Sequence, residues 1–291
     1  MIDRLNSTGV SIVLPVYNEK NAITATITEL QKILENLNYP YEIIAVNDGS
    51  TDGTEELLQS FSTIRLINHR RNRGYGAALK TGIRQAKYNL VAITDADGTY
   101  PNERLPELIS LARSVDMVVG ARIGKDVKYS RLRKIPKYFL VSFAQWLAKQ
   151  PIPDLNSGMR VFYKPTVEKF FHILPDQFSF TTTITLAMLT NNYLVHYEPV
   201  NYYHRVGKSK IKPIRDTLNF IQLILRTGVY FAPLRVFLPV AGIFYGGFFF
   251  SLYYDIFVEA NLTDSTLILF VAATQITIFA LLADMLDKRI K

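Results

Sequence analysis

The chain has 291 residues, 48% of them hydrophobic, with no cysteine and a formal net charge of +8. That length and apolar content suffice for one large domain with an appendage, and the missing cysteines exclude disulfides and thiolate metal sites and fit a reducing compartment. The positive balance favours anionic partners such as nucleotides or phospholipid surfaces.

Met1–Gly9 lacks the basic-then-apolar pattern of a signal peptide, so the first domain is expected in the cytoplasm. Val10–Pro15 reads as a buried strand ending at proline. Tyr17-Asn18-Glu19 and a helix with Ile23, Ile27, Leu30 and Leu34 on one face come next. A second unit repeats the logic, with the strand Tyr41–Val46, the loop Asn47–Gly53 and a helix Thr54–Phe61. Ile64–Asn68 is the third strand, and Arg73-Gly74-Tyr75-Gly76 opens a helix over about Ala77–Ala86. The fourth strand, Leu90–Thr94, delivers Asp95 and Asp97 onto a loop stopped by Gly98 and Pro101. Strand-loop-helix units in series predict a mostly parallel sheet between helices, with ligands bound beyond the carboxyl ends of the strands. The Pro15–Glu19, Asp48 and Asp95–Asp97 loops all fall there. Two carboxylates one residue apart suit a hard divalent cation that takes its remaining ligands from water and a diphosphate, as Mg2+ or Mn2+ does.

Four stretches in order, Leu14–Glu19, Val46–Asp52, Asn72–Ala78 and Asp95–Gly98, resemble the family-2 glycosyltransferases with the GT-A nucleotide-binding fold, and in particular their polyprenyl-phosphate mannose and glucose synthases. The resemblance implies that Pro15, Tyr17, Glu19, Val46 and Asp48 form the nucleoside pocket. It makes Asp95 and Ala96 donor-binding residues, with Asp95 also on the metal side, and Asp97 the main metal ligand. Members that make dolichyl-phosphate mannose often carry Gln two residues after the second Asp; Thr99 stands there in this chain and is the third metal-ligand candidate.

The next block, Arg122 to Lys137, is strongly basic, and from Ser130 to Gln150 cations interleave with Ile135, Phe139, Phe143, Trp146 and Leu147. Such a segment either lies in a membrane interface or packs on its own domain with a solvated face. By resemblance, Arg122 faces the donor diphosphate. Arg131, in the basic segment beside an apolar face suited to the bilayer, is an acceptor-phosphate candidate because its fork binds two oxygens at once, and Ser157 is a second such candidate. Asp154–Arg160 is similar to the family's Ser-Gly-Phe-Arg loop, with Met159 in place of Phe. After a strand over Tyr193–Pro199, Arg205-Val206-Gly207-Lys208-Ser209-Lys210 resembles a loop that closes over the donor, which makes Arg205, Ser209 and Lys210 candidates for phosphate contacts.

Two apolar runs, about 236–258 and 265–284, are each long enough to cross a hydrocarbon core of about 30 Å as helices. Their joining loop carries Glu259 and Asp264 but no Lys or Arg, whereas Arg215, Arg226 and Arg235 precede the pair and Lys288, Arg289 and Lys291 follow it. The positive-inside tendency then puts both termini and the catalytic domain in the cytoplasm, on a multi-pass protein of the cell membrane. The expected organisation is a GT-A domain over 1–212, an interfacial amphipathic helix over 213–233, and a two-helix transmembrane hairpin over 234–291. Gly242-x-x-x-Gly246 offers a face for homo-oligomer formation.

The resemblance implies an inverting transfer of a hexose from a GDP- or UDP-sugar to a polyprenyl phosphate, with Asp97, Arg122, Arg205 and Lys210 carrying the catalysis and no nucleic acid involved. Two rivals stay open. One is a hydroxyl-acceptor glycosyltransferase, with Asp154 in reserve as its base; the other is a non-catalytic nucleotide-sugar-binding membrane protein.

Overall fold

The computed structural model describes residues 9–123, 134–177, 179–203, 222, 225–226, 228–230 and 232–289, with the backbone alone for 134–140 and 287–289. The chain divides into two compact units, Met1–Phe220 and Ile221–Lys291.

The first unit is built on a seven-stranded sheet. Three strand-helix units open it: β1 (Val10–Val16) with α1 (Ile23–Leu34), β2 (Tyr41–Asn47) with α2 (Thr54–Gln59), and β3 (Arg65–Asn68) with α3 (Tyr75–Gln85). Next come β4 (Leu90–Ile93), α4 (Leu105–Leu111), β5 (Met117–Ala121), α5 (Lys134–Ala148), β6 (Arg160–Tyr163), α6 (Lys164–Glu168), α7 (Phe180–Thr190) and β7 (Val195–Pro199). In space the order is β3-β2-β1-β4-β6-β5-β7. All neighbours run parallel except β6, which is antiparallel to both β4 and β5.

Every residue of β1, β4 and β5 is buried, as continuous apolar strands covered on both faces must be. Helix α1 buries Ile23, Ile27, Leu30 and Leu34, the stripe that a period of 3.6 places on one side. Each such side chain contributes about 1.5–3 kcal/mol when taken from water. The chain steps outward from β1 to β3 and then returns to the other side of β1 with β4. That reversal is a topological switch point, and in sheets of this kind it opens a crevice at the carboxyl ends of the strands.

Three expectations need correcting here. Arg160 is not the end of a loop but the first residue of β6, inserted antiparallel between strands distant in sequence. The third helix begins at Tyr75, two residues earlier than its apolar pattern suggests, with Gly74 as its N-cap; Gly76 lies within its first turn, where any Cβ would strike the Pro175 carbonyl. The basic amphipathic stretch is helical from Lys134, with residues 124–133 outside the described set.

The second unit contains α8 (Pro233–Tyr254), a π-helical turn (Asp255–Glu259) and α9 (Asp264–Arg289). The two long helices pack on each other, and both are long and apolar enough to cross a membrane. Ile243, Phe250 and Phe257 are 74%, 76% and 72% exposed, an apolar surface suited to lipid. The helices differ from the expected 236–258 and 265–284 in starting at Pro233 and ending at Arg289, and in the π turn. There the buried Asp255 accepts hydrogen bonds from the Thr263 amide (2.8 Å) and the Thr266 hydroxyl (2.6 Å), closing the hairpin. The interfacial helix expected over 213–233 lies largely outside the described residues, and among the described residues neither Gly242 nor Gly246 has a neighbouring group within 4 Å of its Cβ direction.

Candidate active site

The crevice is walled by the loops after β1, β2 and β4. Pro15 of β1 is paired in register with Val46 of β2, and the Asp48 amide continues the ladder to the Val16 carbonyl at 2.8 Å. The two loops are then laced together. Asn18 donates its amide to Ser50 Oγ (3.0 Å) and accepts the Thr51 amide (2.7 Å), while the Glu19 amide reaches Thr54 Oγ1 (3.0 Å). Asn18 itself takes the left-handed conformation, φ 52°. Tyr17 and Glu19 are half-buried at this edge. The Val46 side chain is not available to a nucleoside: it is fully buried beneath α3, close to Gly82, so only its main chain can line the pocket.

Asp95 and Asp97 stand at the end of β4. The Tyr75 phenol donates to Asp95 Oδ1 at 2.9 Å, and burial first of all, then the Asp95 charge, hold that phenol well above its ordinary pKa, so it remains a donor. Asp97 Oδ1 accepts both the amide (3.2 Å) and the hydroxyl (2.6 Å) of Thr99. Thr99 is fully buried and its hydroxyl proton is spent on Asp97, which it orients, while the lone pairs of its oxygen leave the expected role as a third ligand a proposal. Ala96 is buried, with its carbonyl accepting from Thr26 Oγ1 at 3.3 Å, which ties the loop to α1. Among the described residues no three acidic or imidazole side chains gather to hold a metal. Two hard oxygen donors, one of them half-buried, fit Mg2+ or Mn2+ completing its shell with water and diphosphate oxygens.

Gly158 covers Asp95. A Cβ there would fall 2.7 Å from both carboxylate oxygens, so Gly158→Ala must push Asp95 off Tyr75. Turnover by that variant is expected to fall about tenfold or more, the scale of a small misplacement in a preorganised site, with the far-UV circular dichroism unchanged. Unaltered kinetics would show that the position of Asp95 does not matter.

On the far wall, Arg122 follows β5 and grips Asp154 through Nε (2.7 Å) and Nη2 (2.9 Å), and its guanidinium lies over the Tyr202 ring, 5.2 Å from the centroid. Asp154 is buried, which alone would raise its pKa. The Arg122 hydrogen bonds and charge, with the amides of Arg122 and Asn156, outweigh burial and bring it down to about 2 from an ordinary 3.8. A depressed carboxylate stabilises the fold above its unfolded pKa and ceases to do so as pH falls through the folded one. Asp154 therefore contributes about 2 kcal/mol near neutrality, lost between about pH 4 and pH 2. Denaturant unfolding at stepped pH checks this: Asp154→Asn should be less stable than the parent above about pH 4, with the gap closing below it.

Ser157 is fully buried, and its hydroxyl donates to the Gly120 carbonyl at 2.5 Å. The expected contact with an acceptor phosphate is corrected on that ground, since the group braces the loop from within. Sequence reasoning assigned no role to Arg160. Its guanidinium is fully buried and donates to the carbonyls of Ser157 (2.8 Å) and Leu155 (3.1 Å) and to Thr185 Oγ1 (2.6 Å), holding the 154–158 loop against α7. An arginine heading an otherwise apolar strand, Arg160-Val161-Phe162-Tyr163, was the available signal. Arg131, Arg205, Ser209 and Lys210 lie outside the described residues.

The chain matches the profile of Glycosyl transferase family 2 over residues 11–171 and that of the GtrB C-terminal hairpin over residues 232–288. It belongs to the family-2 glycosyltransferases, with a C-terminal hairpin of the GtrB type. It is 28% identical to a dolichyl-phosphate beta-glucosyltransferase of Dictyostelium discoideum, an alignment spanning 74% of this chain and 72% of the relative. It is 29% identical to an undecaprenyl-phosphate 4-deoxy-4-formamido-L-arabinose transferase of Pseudomonas savastanoi pv. phaseolicola, over 78% of this chain and 67% of the relative. Among solved structures it shares its fold with glucosyl-3-phosphoglycerate synthase of Mycobacterium tuberculosis in complex with UDP, at a TM-score of 0.61 and 17% identity, covering 77% of this chain and 82% of that one. The same synthase has been captured with Mn2+, UDP and phosphoglyceric acid (TM-score 0.60, 17% identity, 77% of this chain and 80% of that one).

Proposed function

We propose that this glycosyltransferase moves a hexose from a nucleoside-diphosphate sugar to a polyprenyl phosphate with inversion, from a catalytic domain on the cytoplasmic face of the membrane in which its hairpin is embedded. Pro15, Tyr17, Glu19, the Val46 main chain and Asp48 hold the nucleoside, and Asp95 and Asp97 hold Mg2+ or Mn2+. When bound, such a cation supplies positive charge against the departing diphosphate. Arg122 adds to that charge, in a contact it must share with Asp154, and Arg205 and Lys210 are assigned the same task from their sequence context. An oxygen of the lipid phosphate, recruited by Arg131, attacks the anomeric carbon from the face opposite the diphosphate. The new carbon–oxygen bond forms as the bond to the diphosphate breaks, and no proton has to move. A phosphate monoester has its second pKa near 6, so the nucleophile arrives ionised at cytoplasmic pH.

The observation that carries the phosphate-acceptor reading is the state of Asp154. Pinned by Arg122 with a pKa of about 2, it is a poor base for a hydroxyl acceptor. These two relatives act, by their names, on polyprenyl phosphates, and this chain has two apolar helices of spanning length. A panel of labelled nucleotide sugars, each incubated with the purified protein, Mn2+ and polyprenyl phosphate, tests the reading. One label should become lipid-extractable, and none doing so would overturn it.

A further inference from the structure

Helix α3 begins on Gly74-Tyr75-Gly76, a tyrosine between two residues that carry no side chain. The backbone of 175–176 requires both glycines: a Cβ on Gly74 would strike the Asp176 carbonyl, and one on Gly76 the Pro175 carbonyl. The first turn is clamped from two directions. On one side the Gly74 amide donates to Asp48 Oδ2, just past the end of β2, at 2.8 Å. On the other, the Ala77 amide donates to the Asp176 carbonyl (3.0 Å), and Lys80, further along α3, donates to the Leu174 carbonyl (2.7 Å) and pairs with Asp176 Oδ1 (2.5 Å). From this seat the Tyr75 phenol reaches Asp95 Oδ1 at 2.9 Å.

Asp95 is held from a second side. Gly158 lies so close that a Cβ there would fall 2.7 Å from either carboxylate oxygen, so the group has no room to swing toward the 154–158 loop. Space limits Asp95 on the Gly158 side, and a directional bond fixes it on the Tyr75 side. With the metal reading of Asp95 and Asp97 proposed above as its basis, we infer that Tyr75 is a positioning residue for the cation: it sets the Asp95 carboxylate for a divalent ion, and the glycines on either side of it set Tyr75. The terminal torsion of a half-buried aspartate is soft, and its freedom is lost when an ion binds. A bond already made in the free protein removes that loss beforehand, which is preorganisation. Hydrogen-bond partners of metal ligands typically contribute a factor of about 10–100 in metal affinity or activity. Tyr75 acts through Asp95 and not on the reacting atoms.

Tyr75→Phe keeps the ring and its seat and removes only the donor. Mn2+ titration of the full-length protein in detergent, followed by electron paramagnetic resonance with UDP or GDP present, whichever the parent binds more tightly, reads the metal directly. Tyr75→Phe should bind Mn2+ about tenfold more weakly, with its calorimetric affinity for the same nucleotide in EDTA unchanged. A purely structural role would weaken both bindings alike or neither, and either result would overturn the inference. Because Gly158→Ala acts on the same carboxylate, the double variant should lose little more Mn2+ affinity than the worse of the two single ones. Losses that multiply would mean separate routes and would also overturn it. A parent that binds nucleotide equally well in Mn2+ and in EDTA would take away the metal reading, and the inference with it, while leaving the nucleotide-donor reading standing. Should Tyr75→Phe fail to fold, Lys80→Met, which loosens the seat and leaves the phenol, decides: weaker Mn2+ binding at unchanged nucleotide affinity supports the inference, and unchanged Mn2+ binding overturns it.

Discussion

Asp97→Asn loses sugar transfer by about two orders of magnitude or more, while its melting temperature stays close to that of the parent. The substitution keeps the shape of the side chain and the Thr99 contact to its carbonyl oxygen, and removes the charge that a divalent cation needs. Loss of one electrostatic contact made in the transition state costs a factor of about a hundred to a thousand. The buried setting of Asp97 supports the upper end, since a screened surface charge would matter less. Manganese titration of the variant in the presence of nucleotide should show the loss independently of turnover. Transfer at the parental rate, or transfer undiminished in excess chelator, would take the metal out of the account.

Arg160→Met is the second large effect, and it is one of stability. Methionine fills most of the volume but strands the Ser157 and Leu155 carbonyls and takes a donor from Thr185, all of them shielded from water. Each unpaired buried carbonyl costs about 1–3 kcal/mol, so the total is about 3–5 kcal/mol. For a domain of this size that lowers the melting temperature by about 10 °C. The 154–158 loop then loosens, and with it the Asp154–Arg122 pair and the cover that Gly158 forms over Asp95. Transfer should fall even at temperatures where the variant is folded. A melting temperature within about 2 °C of the parent would mean that the loop is held by other means.

Much of the scaffold was legible because it is local. Apolar runs punctuated by Pro15, Asp48-Gly49 and Gly98 announce strand ends, and the order of the units places those ends on one edge of a parallel sheet. Asp95 and Asp97 could be read as a pair for the same reason, being two residues apart on one loop. The hairpin was legible from length and composition alone. What escaped depends on pairing between distant segments. Nothing near Arg160 says that its strand inserts antiparallel between β4 and β5, so nothing says that its charge is buried. Ser157 and Thr99 have ligand-type hydroxyls, and only the fold reveals that Gly120 and Asp97 already receive them. Asp154 could serve as a base or as an ion-pair partner until Arg122, just past the end of β5, is found against it. Tyr75 is one of 17 tyrosines, and it acquires meaning only beside Asp95.

The acceptor is the centre of the account, and a side-by-side assay tests it most directly. The purified full-length protein, with Mn2+ and the labelled nucleotide sugar it accepts, is offered polyprenyl phosphate in one vessel and the corresponding polyprenol in another. Label should enter the lipid phase only with the phosphate, as a product cleaved by mild acid, because the ionised phosphate needs no base and Asp154 is too firmly held to act as one. Transfer to the alcohol at a comparable or greater rate would contradict it, and would return the role of base to a carboxylate in the site.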